Sequence, residues 1–144
     1  MSSANYIPQG FHTVTPYLIV SDASGLIEFT QAVFDATEIV RVPGTHGRIR
    51  HAQIRIGDSP VEMADGQDEW PAMPASLHVY VPDVDAVYMR ALAAGADVLL
   101  EPQDQFYGER SASVRDPWKN VWHIATKTEE LSMEEMKKRA AGQR

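Results

Sequence analysis

Glu62, in Ser-Pro-Val-Glu-Met, and His123, in Asn-Val-Trp-His-Ile, place a carboxylate and an imidazole 61 positions apart. The same offset carries Thr15 onto Ser76 and Asp22 onto Asp83. A carboxylate oxygen and a neutral imidazole can each ligate a divalent cation or move a proton. The offset has a structural origin: Thr15-Pro-Tyr-Leu-Ile-Val-Ser-Asp22 and Ser76-Leu-His-Val-Tyr-Val-Pro-Asp83 both read as an apolar strand running into an acidic helix start. A unit present twice repeats its strands, so matching positions can converge on one pocket. Glu62 has two readings, a pocket carboxylate or a solvent-facing strand residue, because Val61 and Met63 point to the opposite face. His123 alternates with Trp122 and Ile124 and reads the same way. His78 lies two residues beyond Ser76 and shares its strand face.

The elements that must position these side chains follow from periodicity. Residues 12–20 are rich in β-branched and aromatic types and end at Ser21-Asp22, a helix N-cap. Leu26, Ile27, Phe29, Thr30, Val33 and Phe34 recur at helical spacing, which predicts an amphipathic helix. Strands are expected at 38–42, 48–56 and 61–64, the last two joined by the Gly57-Asp58-Ser59-Pro60 turn. The connector 65–75 is polar and Pro-containing, and its Trp70 and Met73 suit a position over a cavity. The order then repeats as a strand at 76–81, a helix at 84–94 closed by Gly95, and strands at 97–100, 110–114 and 120–126. Each half is βαβββ. In the tail, Ser132-Met-Glu-Glu135 forms a capping box, and Glu134–Lys138 and Glu135–Arg139 are spaced as helical ion pairs. The expected organisation is one fused domain over 1–128, with units at about 13–64 and 74–126, and a helical tail at 129–144.

Composition narrows the partners. The 144 residues are 44% hydrophobic and 23% charged, as in a globular domain, and the formal net charge of −7 with no basic stripe argues against nucleic acid. Cysteine is absent, which removes thiolate chemistry and disulfides and fits a reducing compartment. No run approaches the roughly 18 apolar residues of a membrane span, and no secretory leader pattern opens the chain. A cytoplasmic protein with no membrane partner is the expectation. Phosphate-cradling glycine loops, HExxH helices and Ser-His-Asp order do not occur. His46, in Pro43-Gly-Thr-His-Gly47, reads as a solvated turn residue.

The paired βαβββ pattern and the Arg-Asp-Pro turn before the final strand resemble the glyoxalase/bleomycin-resistance/extradiol-dioxygenase group, the vicinal oxygen chelate superfamily. The telling stretches are Val-Thr-Pro-Tyr-Leu-Ile-Val-Ser-Asp, Leu-His-Val-Tyr-Val-Pro-Asp-Val-Asp-Ala, Ala-Leu-Ala-Ala-Gly-Ala and Tyr-Gly-Glu-Arg-Ser-Ala-Ser-Val-Arg-Asp-Pro. With the tail, they look like a stand-alone bacterial glyoxalase-like branch. The resemblance implies an α+β fold of curved mixed sheets around a cup, helices on the outer face, and a homodimer. In metal-dependent members the ligands come from the first and last strands of each unit, which here fall on Thr15, Ser76, Glu62 and His123. Thr and Ser hydroxyls are poor ligands, so the set is broken at its first-strand positions. Displaced by one residue pair, it becomes Glu62, His78 and His123, two imidazoles and a carboxylate with open positions for Zn, Ni, Mn or Fe. The competing reading makes His78 a pocket-wall residue.

Two functions follow. One is an enzyme, a metal-dependent lyase, isomerase or dioxygenase in which Glu62 or His78 moves a proton. The other is a protein that sequesters an antibiotic or another hydrophobic small molecule. Thr15, Tyr17, Gln53, Ser76 and Arg110 are the candidate substrate contacts. His51, Gln53 and Arg55 alternate on one strand face, where anion binding and plain solvation fit equally well.

Overall fold

The computed structural model describes residues 5–142. The chain forms two compact units, Met1–Pro74 and Ala75–Arg144, each with a four-stranded mixed sheet. In the first unit the order is β1 (Tyr17–Val20), α1 (Ala23–Phe34), β2 (Thr37–Pro43), β3 (Ile49–Ile56) and β4 (Ser59–Asp65). In the second it is β5 (Ser76–Tyr80), α2 (Val84–Ala93), β6 (Asp97–Asp104), β7 (Glu109–Arg115) and β8 (Val121–Lys127), followed by α3 (Met133–Ala141). The sheet orders are β1-β4-β3-β2 and β5-β8-β7-β6. The outer pair in each, β1 with β4 and β5 with β8, is parallel. This is the expected α+β arrangement of two βαβββ units.

Each sheet has one apolar and one polar face because side chains alternate along a strand. In the first unit Leu18, Val20, Ala52, Ile54, Val61 and Met63 are buried, and α1 packs on the sheet through Leu26, Ile27, Phe29, Val33 and Phe34. Asp22 starts α1 by accepting from the Gly25 amide at 3.0 Å, and Asp35 ends it in the left-handed region. The second unit repeats the scheme with Ala112, Val114, Trp122 and Ile124 buried where α2 packs on β7 and β8, and α2 buries Val84, Val87, Tyr88 and Ala91. Asp83 caps α2 through the Ala86 amide. Gly95, at φ +101°, follows the helix where a left-handed residue must turn the chain.

Two strand extents differ clearly from the sequence reading. The first strand begins at Tyr17 rather than residue 12; Pro16 accepts from the Glu62 amide but has no N–H to continue the ladder. Thr15 therefore precedes the strand, whereas Ser76 opens β5. β6 runs on through Pro102 to Asp104 along the sheet edge, where a missing donor is tolerated, with register shifts on either side of Leu100. The helical tail is docked on the second unit. Arg139 reaches the Phe106 carbonyl and the Glu129 and Glu135 carboxylates. Ser132 caps α3 through the Glu135 amide, while the Glu135 carboxylate is spent on Arg139, so the capping box is half formed.

The five-residue turn between β7 and β8 is organised by Asp116, which is 2% exposed. Its carboxylate accepts from the Trp118 and Asn120 amides, the Asn120 side-chain amide and the Trp122 indole, all at 2.9–3.0 Å. Asn120 in turn accepts from the Ala75 amide just before β5. Asp116→Ala strands several buried donors, each costing about 1–3 kcal/mol if left unpaired. We expect that variant to lose at least about 3 kcal/mol in denaturant unfolding. An unchanged midpoint would show that the turn does not depend on this carboxylate.

Candidate functional site

The polar faces of the two sheets carry the candidate chemistry, and strand register decides which side chains meet. In the first unit Tyr17 lies directly across from Glu62 on the parallel pair, and Gln53 across from Glu62 on the antiparallel one. In the second unit His78 lies across from His123, and Ser113 across from His123. The 61-residue offset thus maps Tyr17 onto His78 and Glu62 onto His123. The residues facing Glu62 and His123 stand two positions beyond Thr15 and Ser76.

His51 is the centre of the first cluster. Its Nδ1 is 3.4 Å from the Tyr17 hydroxyl, its Nε2 is 3.3 Å from the Gln53 amide nitrogen, and the same Nε2 is 3.5 Å from a Glu62 oxygen. A neutral ring protonated on Nδ1 satisfies the first two contacts, donating to Tyr17 and accepting from Gln53. Burial, and secondarily the Glu62 charge, hold the Tyr17 phenol above its ordinary value. Glu62 is thus half-buried and faces other polar groups, with 24% of its side chain exposed.

The second cluster joins His78, Tyr80, Glu109, Ser113 and His123. His123 Nδ1 and the Ser113 hydroxyl are 2.8 Å apart, and the His78 and His123 rings lie 6.4 Å apart by centroid. The Tyr80 hydroxyl donates to Glu109 at 2.7 Å, and His78 Nε2 is 4.0 Å from the other Glu109 oxygen. That hydrogen bond is the main reason the Tyr80 phenol titrates above its ordinary value. Arg110 sits on β7 one position from Glu109 and so on the opposite face, where Asp85 of α2 and Asp104 pair with it. It is not part of either cluster.

Among the described residues, no three His, Asp or Glu side chains form a group able to hold a metal ion. In the second unit the donors are already engaged: Ser113 takes His123 Nδ1, and Tyr80 takes Glu109.

A cavity of about 710 Å³ opens on the polar face of the first unit. Its walls include Tyr17, Ile19 and Ile49 from the strands, Thr45 and Arg48 from the turn between β2 and β3, and Trp70 from the connector. The connector is held by paired Gln67–Trp70 backbone hydrogen bonds and by the Met73 amide on the Ile19 carbonyl. Arg48 also donates to the Gly66 carbonyl. A side chain at Gly66 would meet the Ala72 amide nitrogen at 2.7 Å, so glycine permits the connector to fold this closely. Trp70 remains 62% exposed at the cavity. The placement of Trp70 was readable from the connector's composition. Gln53 could have been matched to Glu62 by counting back from the Gly57-Asp58 turn, which leaves His51 two residues further along the same face. Glu109 gave no comparable signal, because the five-residue turn after β7 does not set the register of that strand.

Two βαβββ units with polar, pocket-bearing sheet faces define a vicinal-oxygen-chelate type of α+β protein. The profile of the Glyoxalase/Bleomycin resistance protein/Dioxygenase superfamily matches residues 10–124, and the chain belongs to that superfamily. It is similar to the uncharacterized protein Mb0911c of Mycobacterium bovis, at 37% identity over 85% of this chain and 88% of the relative. Among solved structures it is similar to TioX from Micromonospora sp. ML1, with 26% identity, a TM-score of 0.69, and coverage of 81% of this chain and 98% of that one. It is also similar to TnmS3, an antibiotic binding protein from Streptomyces sp. CB03234, with 25% identity, a TM-score of 0.64, and coverage of 81% and 96%.

The Tyr80–Glu109 bond yields a titration test. Because a phenol held above its ordinary value is favoured in its neutral form, the bond's contribution is fully present below about pH 10 and fades as pH rises through the raised value. Glu109→Gln should lower the Tyr80 transition in an ultraviolet titration read as the difference from Tyr80→Phe. An unmoved transition would mean that Glu109 does not hold the phenol.

Proposed function

We propose that this protein binds a flat, largely apolar small molecule without transforming it, in the manner of a sequestering protein. The cavity bounded by Trp70 carries the reading. It offers an exposed indole, a phenol and two isoleucines as walls, with Arg48 and Arg50 among its lining residues for an anionic or carbonyl-bearing edge. Aromatic walls recognise planar ligands through offset stacking and apolar burial. The similarity to TnmS3, described as an antibiotic binding protein, supports the same class of ligand. The polar groups near Tyr17 are bonded mainly to one another, as suits a preorganised wall. Tyr17 lines this region, so it enters as a shaping residue, its hydroxyl held against His51.

Anilinonaphthalene sulfonate, a planar anionic fluorophore, is a suitable probe. Binding should quench tryptophan emission, and Trp70→Ala should weaken it by about tenfold or more, as expected for an aromatic anchor. Equal binding by the variant would remove this cavity as the site. Metal content of protein purified without chelator discriminates the enzyme reading. The sequestering reading expects substoichiometric metal. Stoichiometric Zn, Ni, Mn or Fe that is lost in both Glu62→Ala and His123→Ala would replace it with a metal-dependent lyase, isomerase or dioxygenase.

We further infer a homodimer. Ile39, Val40 and Val42 on β2 and Val98 and Leu100 on β6 are exposed apolar residues on strands at the sheet edges. Natural proteins cover such edges. Sedimentation equilibrium should give twice the chain mass of 16.0 kDa, and Val40→Lys with Val42→Lys should shift it toward the monomer. A wild-type protein that sediments as a monomer at micromolar concentration would overturn this.

A further inference from the structure

The N-terminal segment builds a second cavity on the polar face of the first sheet. Tyr6, Phe11, His12, Thr15, Gln53 and Glu62 help to enclose about 500 Å³, and the lining shares no residue with the cavity at Trp70. The segment is tied down locally. The Phe11 amide donates to the Pro8 carbonyl at 3.0 Å, and Arg55 donates to the Gly10 carbonyl at 3.3 Å. Gly10 has φ +84°, and a Cβ there would lie 3.0 Å from the Arg55 guanidinium, so this turn requires glycine.

Glu62 gives the cavity its chemistry. It is a half-buried carboxylate whose described ion-pair partner is His51, a cation only when its ring is protonated, and the 3.5 Å separation is longer than a charge-assisted hydrogen bond. No arginine or lysine among the described residues pairs with it. Arg55, on the same strand face as Gln53, is directed to Gly10 instead. The same cavity is lined by the Phe11 ring, the largely exposed Tyr6 ring, the Thr15 hydroxyl and the Gln53 amide, the last two able to accept from an N–H donor. We propose that this cavity binds the protonated amino group of an organic amine. The ammonium pairs with Glu62, and its apolar body packs on Phe11 and Tyr6, an arrangement in which aromatic faces also attract the cation. The chain's net charge of −7 favours approach of such a ligand.

Phenethylamine, with phenylethanol as its uncharged counterpart, tests this by amide chemical-shift titration of the full chain. The amine should perturb the signals of Gly10, Phe11 and Glu62 saturably at millimolar concentration, and the alcohol should bind at least about tenfold more weakly. Glu62→Gln keeps the side-chain shape and should weaken the amine by about tenfold or more, its amide spectrum confirming the fold. Arg55→Met, which frees the Gly10 carbonyl but leaves Glu62 in place, should also weaken it. Equal affinity for amine and alcohol, wild-type affinity in Glu62→Gln, absence of saturable shifts, or shifts centred on Trp70 would each overturn the proposal. The ligand reading of the larger cavity is unaffected by those outcomes, because it is read through Trp70 and a different probe.

Discussion

The parallel pairing of the first and last strands within each unit is the constraint on which the sites depend. Parallel neighbours cannot be joined by a tight turn, so a helix and a hairpin intervene between β1 and β4 and between β5 and β8. The pairing sets Tyr17 across from Glu62 and His78 across from His123. A slip of one residue would send Leu18, Met63 and Trp122 to the polar faces and pull these four side chains under the helices. Burying those large apolar groups therefore fixes the register, and the register fixes the sites. The polar faces are positioned by the packing on the reverse sides of their own sheets.

Carboxylates reinforce that register where the strands end. Asp65, the last residue of β4, accepts from the Ala23 amide at the start of α1 and from the Ile49 amide at the start of β3. One side chain thereby ties helix, central strand and parallel strand together. In the second unit the equivalent task falls to Asp116 and Asn120, which lie in the turn between β7 and β8 and reach β5 through Ala75. Among the described residues no buried side-chain nitrogen or oxygen is without a partner, so these polar groups cost little in desolvation.

Much of this architecture was legible in the sequence because it rests on period-two and helical spacing. Both helices, their aspartate caps and the repeated βαβββ order follow from residues that do what their types dictate. The extent of the first strand was misjudged because β-branched composition before Pro16 outweighed the missing proline donor. Sites were less legible than elements. His51 and Gln53 were visible as one face of a strand, but their contact with Glu62 is a cross-strand fact that needs the turn register. Glu109 pairs with Tyr80 across strands whose connection does not set alignment. The cavity at Trp70 depends on Arg48 and Thr45, placed by a turn in which His46 adopts a left-handed conformation that its residue type does not announce.

The two copies have kept the register while exchanging the chemistry. A phenol and a carboxylate occupy the positions that two imidazoles occupy in the second unit, and the middle strand supplies Gln53 in one and Ser113 in the other. The offset between these last two is 60 rather than 61 because the turn after β7 holds one more residue than its counterpart, measured between Arg55–Pro60 and Arg115–Val121. That extra residue leaves the parallel pair untouched and moves only which middle-strand side chain faces it. A carboxylate returns to the second face as Glu109, but from a different strand and bonded to Tyr80. In the first unit the carboxylate is Glu62, whose ion-pair partner is His51 at 3.5 Å. The asymmetry leaves the first unit with the less committed carboxylate, and that difference in partners is why both proposed ligand sites are assigned to its polar face.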